Sequence, residues 1–153
     1  MEYIISFARK ADEEGVRRLL SEHKMGMLGE VEDYVVLKSA GEVCAVGRLV
    51  QTGKDYFHLE VFGVKNGLRR KGVGGLLLSK IISSPGEYCR CASIVPGAYK
   101  VTTVARGEAA SFYIKHGFRP CSFSNLASPY DVQCDDCPDR GTCRPLPMMF
   151  EGC

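Results

Sequence analysis

The sequence predicts an α+β fold in which strands and helices are mixed along one chain. Three observations support this prediction. Apolar runs of strand length occur between runs in which apolar residues recur every three or four positions, as in amphipathic helices. Glycine-containing turns at residues 40–41 and 52–53 separate three consecutive strand-like runs, a pattern typical of hairpins between antiparallel strands. With 153 residues and 45% hydrophobic content, the chain is long enough for one sizeable core.

The first half of the chain is predicted to hold one helix among four strands. Residues 3–8 are a short strand-like run. Residues 12–22 are predicted to be a helix, because apolar residues form one stripe along it and Asp12 stands where a helix cap is expected. A meander of three antiparallel strands follows, at residues 34–39, 42–51 and 55–65.

The second half is predicted to continue with a helix, a strand and another helix. The apolar run at residues 73–82 predicts a helix that ends before a Ser-Ser-Pro-Gly break. A strand is expected at residues 100–105 and a helix at residues 108–116. The predicted order of elements is therefore β-α-β-β-β-α-β-α.

The charge balance argues against a polyanionic partner. Twenty basic and 18 acidic residues give a net charge of +2, which provides no general attraction for nucleic acid or an anionic membrane. No apolar run approaches the roughly 20 residues that span a bilayer. Arg9 and Lys10 follow a short apolar stretch that is too short for a signal peptide. We therefore expect a cytoplasmic protein without nucleic-acid or membrane partners.

The segment of residues 69–74 has the character of an anion-binding turn. Gly72 and Gly74 allow a ligand to approach the backbone closely, and the first N–H groups of the following helix have no partner within it. Three cationic residues add charge, so the turn suits a pyrophosphate. It is not a P-loop, because Lys71 precedes the glycines, and it fits the dinucleotide fingerprint poorly. A plain helix start with solvated basic residues is the alternative.

Two motifs together resemble the GNAT superfamily of N-acetyltransferases. Arg69, Gly72 and Gly74 match the acetyl-CoA pyrophosphate motif Arg/Gln-x-x-Gly-x-Gly/Ala. Residues 109–118 match the later family signature Ala-x-x-Phe-Tyr-x-x-x-Gly-Phe. The predicted element order is also that of the family, so the resemblance covers roughly residues 3–125.

The resemblance implies a fold, a reaction and a donor site. The GNAT-like fold has a central, mostly antiparallel twisted sheet flanked by helices, with strands splayed apart at the acetyl-CoA site. The implied reaction moves an acetyl group from acetyl-CoA to a primary amine of a small molecule, an amino acid or a protein, by direct attack in a ternary complex. The implied donor-binding residues are Phe62, Gly63, Val64, Arg69, Arg70, Lys71, Gly72, Val73, Gly74 and Gly75. The first three would pair with the pantetheine arm, although Gly63 is equally consistent with a packing requirement.

The reaction requires a base for the amine and an acid for the leaving thiolate. Glu60 is the candidate base, because many family members carry a catalytic glutamate at this place, and His58 is the second candidate. The alternatives are that both residues lie on a solvated strand face, or that the reaction needs no tuned base.

Tyr113 matches the tyrosine that many family members use as the general acid. A tyrosine with a pKa near ~10 keeps its proton at neutral pH. The alternative is an aromatic core residue beside Phe112. Arg106 departs from the family's usual asparagine, and His23 and His116 are interpreted as structural or surface residues.

The last part of the chain is predicted to be a cysteine-rich extension, residues 126–153, packed on the domain of residues 1–125. Its pattern C-x2-C-x5-C places Cys134, Cys137 and Cys143 as ligands of a structural zinc ion, with Cys153 or Cys121 as the fourth. Free thiols, a reversible disulfide and an iron-sulfur site are the alternatives.

A different class of function also fits the sequence. An acyl-CoA-binding regulatory or redox protein would keep the same fold with little turnover. The sequence does not distinguish a monomer from a homodimer.

Overall fold

The computed structural model describes residues 2–68, 71–90, 92 and 97–153. Its strands are β1 (Ile4–Phe7), β2 (Tyr34–Ser39), β3 (Glu42–Gly53), β4 (Tyr56–Val64), β5 (Tyr99–Ala105), β6 (Arg119–Pro120) and β7 (Leu146–Gly152). Its α-helices are α1 (Glu13–Glu22), α2 (Val73–Ser83), α3 (Ala110–Lys115) and α4 (Arg140–Cys143). The strands form one sheet in the order β1-β2-β3-β4-β5-β7-β6. The predicted α+β fold, with a mostly antiparallel sheet and flanking helices, is confirmed.

One strand pair in the sheet is parallel. Residues Tyr56–Leu59 of β4 pair with Lys100–Thr103 of β5, and the chain crosses between them through α2, as a parallel connection requires. Antiparallel registers join β1 to β2, β2 to β3, β5 to β7 and β6 to β7. Because the parallel register ends at Leu59, the last five residues of β4 lie beyond it.

The two predicted hairpin turns differ in outcome. Ala40 and Gly41 both have positive φ, 51° and 79°, as a two-residue hairpin turn of type I′ requires. The second turn lies two residues later than predicted, because β3 continues through Gly53. The Gln51 side chain donates a hydrogen bond to the Lys54 carbonyl (3.2 Å) and stabilises the shifted turn.

The chain divides into two compact units. The first comprises residues 1–49 and 60–93, and the second comprises residues 50–59 and 94–153. In the first unit the apolar stripe of α1 packs in a core with β2 and β3. Its fully buried members include Val16, Leu20, Val31, Tyr34, Val36 and Val46.

Asp12 holds the start of α1 in a different way from the prediction. It stands at the N-cap position, but its carboxylate accepts no hydrogen bond from the helix. Instead it accepts from the Arg9 N–H (2.8 Å) and from the Lys38 ammonium (3.1 Å). Burial raises the pKa of Asp12, but these two partners outweigh it, and the net pKa is lowered.

The second unit contains a strand that the sequence analysis did not predict. Strand β7 lies between β5 and β6, so the end of the supposed extension is part of the sheet. Pro147 lies within this strand, where proline is rare, so the sequence pattern did not indicate a strand here. Pro147 nevertheless pairs opposite Val104 near the start of β7, and its carbonyl accepts from the Cys121 N–H (2.9 Å).

Candidate functional site

A short connection leads from the end of β4 to the start of α2. Two hydrogen bonds lie along its described residues, from the Leu68 N–H to the Lys65 carbonyl (3.1 Å) and from the Lys71 N–H to the Leu68 carbonyl (3.3 Å). Arg69 and Arg70, two of the predicted phosphate-binding cations, lie outside the described residues. The connection places the predicted phosphate turn directly after the predicted pantetheine strand.

Gly72 has the conformation that the predicted anion-binding turn requires. Its φ is +79°, and a Cβ built on it would meet nothing within 4 Å. Among the described side chains none caps the N-terminus of α2, and the first turn contains no acidic residue. The eleven-residue helix therefore begins with an open backbone and no opposing charge, an arrangement that suits an anion.

The other predicted residues of this turn differ in exposure. Lys71 is exposed and Gly75 is half-buried, whereas Val73 and Gly74 are buried on the inner side of α2. Val73 therefore contributes to the core through its side chain, and only its backbone amide is a candidate for phosphate binding.

Gly63 is required for the packing of α1. A Cβ at this position would lie 3.2 Å from the Leu19 Cδ2 atom and 3.3 Å from the His23 Cδ2 atom. Such contacts are tighter than those of most real Cβ atoms. Of the two explanations left open by the sequence, the structure supports close packing of the helix on the strand.

The end of β4 presents one edge to β3 and the other edge away from it. The Lys65 N–H donates to the Cys44 carbonyl on β3 (2.9 Å). Backbone groups of successive strand residues point to opposite edges, so the N–H and C=O of Val64 and Phe62 point away from β3. These are the groups predicted to pair with the pantetheine arm.

Glu60 lies in a largely buried ion pair. Its Oε1 is bonded to Nη1 of Arg48, and the two side chains are only 17% and 19% exposed. Nη2 of Arg48 lies 3.8 Å from the Asp33 carboxylate. The alternative of a solvated strand face is therefore wrong for Glu60. Sequence reasoning did not identify Arg48, because its partners lie on other elements.

His58 lies in the second unit and is 2% exposed. Its Nδ1 is 2.8 Å from the Thr102 hydroxyl, and its ring stacks on Tyr130 with centroids 3.8 Å apart. Burial lowers the pKa of His58 to about 4. A base with this pKa is poorly matched to proton transfer near neutral pH. The solvated-face alternative is wrong for this residue too.

Tyr113 also lies in the second unit, on α3, and is 7% exposed. Its ring meets Phe112 and Phe118 edge-on at 5.3 Å each. The side chains of Tyr113 and Thr103 are hydrogen-bonded, and burial raises the pKa of Tyr113 to about 12. The Thr103 hydroxyl donates its proton to the Leu59 carbonyl (2.9 Å), so it accepts from the phenol. Tyr113 therefore keeps its proton throughout the neutral range.

The predicted four-cysteine zinc site does not form. Among the described residues no group of three or more His, Cys, Asp or Glu side chains is placed to hold a metal ion. Cys153 follows β7, a strand of seven residues that extends about 20 Å at ~3.3 Å per residue. Cys143 precedes this strand, so Cys153 is beyond its reach.

The remaining tail cysteines have the character of free thiols. Cys121, Cys134, Cys137, Cys143 and Cys153 are all unpaired. Burial raises the pKa of the Cys134 thiol, which opposes formation of the thiolate that a metal would need. Strand β7, which separates Cys153 from Cys143, is hidden in the sequence because Pro147 lies within it.

Within the part of the chain that the structure describes, no helix is both long and apolar enough to span a bilayer.

Comparison with known structures shows the same fold in several acetyltransferases. N-acetylglutamate synthase from Neisseria gonorrhoeae, complexed with coenzyme A and N-acetyl-glutamate, superposes with a TM-score of 0.75 at 13% identity. The match covers 99% of this chain and 35% of the synthase, so this chain spans about a third of that protein. Ard1 from Thermoplasma volcanium matches with a TM-score of 0.70 at 18% identity, covering 100% and 99% of the two chains.

The ribosomal-protein-S18-alanine N-acetyltransferase from Escherichia coli matches with a TM-score of 0.64 at 16% identity, covering 98% and 94% of the two chains. Comparison of the sequence with curated proteins gave no match. The sequence profile of the acetyltransferase (GNAT) domain matches residues 30–120, which is more than half of the chain and includes the Gly72 turn and Tyr113. The protein therefore belongs to the GNAT family of acetyltransferases.

Proposed function

We propose that this acetyltransferase moves an acetyl group from acetyl-CoA to a primary amine by direct attack in a ternary complex. The observation that carries the proposal is the open turn at Gly72, which follows β4 in the chain and begins α2. Anionic groups bind well at such a helix start. The fold neighbours acylate an amino acid or a protein alanine by name, which supports an amino acid or a peptide amine as the acceptor.

The donor would lie along β4 and across the start of α2. The Val64 N–H and the backbone groups of Phe62 suit the amides of the pantetheine arm, since they point away from β3. The amides of residues 72–75 and the Lys71 ammonium suit the pyrophosphate. Arg69 and Arg70 are proposed to add charge there.

Glu60 is proposed as the base and Tyr113 as the acid. The amine nitrogen forms a bond to the thioester carbonyl carbon and gives a proton to Glu60. The C–S bond then breaks, and the leaving thiolate takes the proton of Tyr113. Burial supports the second role, because it keeps Tyr113 protonated, whereas burial of His58 makes it a weaker candidate for the first.

Calorimetry with acetyl-CoA tests the donor site. Gly72→Asp adds bulk and negative charge where the pyrophosphate would lie, and binding should weaken at least about 100-fold, or ~2.7 kcal/mol. Gly41→Asp is the matched control, because Gly41 has the same φ of +79° and an equally open surrounding. Equal affinity of a folded Gly72→Asp variant and the wild type would overturn the assignment.

Release of coenzyme A in the presence of amino acids, peptides and small amines tests the reaction. Steady release with at least one acceptor is expected. Tight acetyl-CoA binding without release for any acceptor would instead support an acyl-CoA-binding regulatory protein. We also propose a cytoplasmic location and a monomer or homodimer, and sedimentation of the purified protein distinguishes the two states.

A further inference from the structure

His23 follows the last turn of α1 and contacts the end of β4. Its backbone N–H closes the helix by bonding to the Leu20 carbonyl (3.0 Å). Its side chain reaches 41 residues along the sequence, where Nε2 lies 2.7 Å from the Val64 carbonyl oxygen. A carbonyl oxygen only accepts, so Nε2 carries the proton and donates it.

Two further contacts hold the same strand end against α1. The neighbouring residue Glu22 accepts a hydrogen bond from the Asn66 N–H through its carboxylate (2.9 Å). The His23 ring also covers Gly63, where a Cβ would lie 3.3 Å from its Cδ2 atom. The end of α1 thus contacts three of the four residues from Gly63 to Asn66.

The Val64 carbonyl, which His23 binds, lies on the edge of β4 that faces away from β3. The Lys65 N–H is bonded to Cys44 on β3, so the Val64 carbonyl points to the other edge, beyond the register that β4 shares with β5. His23 therefore uses one of the polar groups that an incoming amide chain would otherwise meet. The N–H of Val64 lies on the same edge.

We propose that His23 is a positioning residue for the acyl donor. By holding the Val64 carbonyl, it fixes the direction of the last residues of β4 and leaves the Val64 N–H as the donor that meets a carbonyl of the pantetheine arm. This inference rests on the proposed donor site. It assigns to His23 an effect on the pantetheine arm and none on the pyrophosphate, which binds at the start of α2.

Two ligands separate these effects in calorimetry. Acetyl-CoA contains the pantetheine arm, whereas adenosine 3′-phosphate 5′-diphosphate carries the pyrophosphate without it. His23→Leu should weaken acetyl-CoA binding at least about tenfold and change nucleotide binding less than about twofold. His23→Gln should restore acetyl-CoA binding to within about threefold of the wild type, because its side-chain amide supplies an N–H to the same carbonyl.

His116→Leu is the matched control, because His116 also ends a helix and its Nδ1 bonds only a local carbonyl, that of Phe112 (2.9 Å). Unchanged acetyl-CoA affinity in His23→Leu would overturn the inference. The inference would also be overturned if His23→Leu weakened the binding of both ligands equally, or if His23→Gln failed to restore acetyl-CoA binding. Either result would point to a general packing role for His23. If the wild type does not bind acetyl-CoA, the proposed donor site itself is refuted.

Discussion

Tyr113 meets the physical requirements of both roles that the sequence left as alternatives. Its ring packs between aromatic side chains, as a core residue does, and the same burial raises its pKa to about 12. Its hydroxyl is hydrogen-bonded to Thr103, so protonation of a thiolate requires this hydrogen bond to change partner. A core position and a role as acid are therefore compatible.

Tyr113→Phe should separate chemistry from packing. The variant keeps the ring but removes the proton, so kcat should fall about 100-fold while acetyl-CoA affinity and stability stay near the wild type. Steady-state kinetics and calorimetry measure both. Tyr130→Phe, which keeps the ring that stacks on His58, is the control. A wild-type kcat in Tyr113→Phe would leave this residue with packing alone.

Glu60→Gln should remove the group that accepts the proton of the amine. We expect kcat to fall at least about 100-fold and the acidic limb of the pH profile of kcat/KM to flatten. Asp33→Asn is the matched control, because it also removes a carboxylate beside Arg48, at 3.8 Å. If Glu60→Gln and Asp33→Asn change the pH profile of kcat/KM equally, the change arises from the charge around Arg48, and Glu60 is not the base.

At the scale of elements, Arg48 joins three segments of the first unit. It lies on β3, bonds Glu60 on β4, and contacts Asp33 at the turn before β2. Tyr34 pairs opposite Arg48 across the strands, and its buried hydroxyl accepts from the Leu28 N–H (2.7 Å). The Arg48 ion pairs thus hold β3, β4 and the approach to β2 in one arrangement.

Arg48→Met should destabilise the protein by about 3 kcal/mol, because it breaks an ion pair whose other member, Glu60, is largely buried. Urea denaturation measures the loss. Adding Glu60→Gln should restore part of the stability, since the largely buried charge is then gone. Arg17→Met is the control, because its ion pair with Glu13 is exposed and should contribute less than about 1 kcal/mol. Additive losses in the double variant would contradict this account.

For the whole molecule, the buried His58 predicts how stability depends on pH. Its pKa is lowered to about 4 by burial, from 6.5 in the unfolded chain. Between these values the unfolded state binds more protons, so the stabilisation is complete above pH 6.5 and is lost as the pH falls towards 4. The difference corresponds to about 3 kcal/mol.

Urea denaturation between pH 7 and pH 4 measures this loss. In His58→Gln the slope over this range should be shallower, because the titrating group is gone. Identical slopes in wild type and His58→Gln would show that other groups control the acid stability.

The sequence by itself determined the features that are local in the chain. Three such features are the Gly72 turn, the motif around Tyr113 and the apolar stripe of α1. Each of them depends on residues within a stretch of about ten positions. Such patterns specify backbone conformation and family directly. They were sufficient for the fold class and for the family.

Only the tertiary structure decided which distant residues meet. The contact of His23 with Val64 spans 41 residues, and the Arg48 ion pair joins two strands. The place of β7 between β5 and β6 separates Cys153 from the other tail cysteines. These outcomes follow from packing and strand pairing, where long-range contacts outweigh local preferences such as that of Pro147 in β7. No spacing along the chain encodes them.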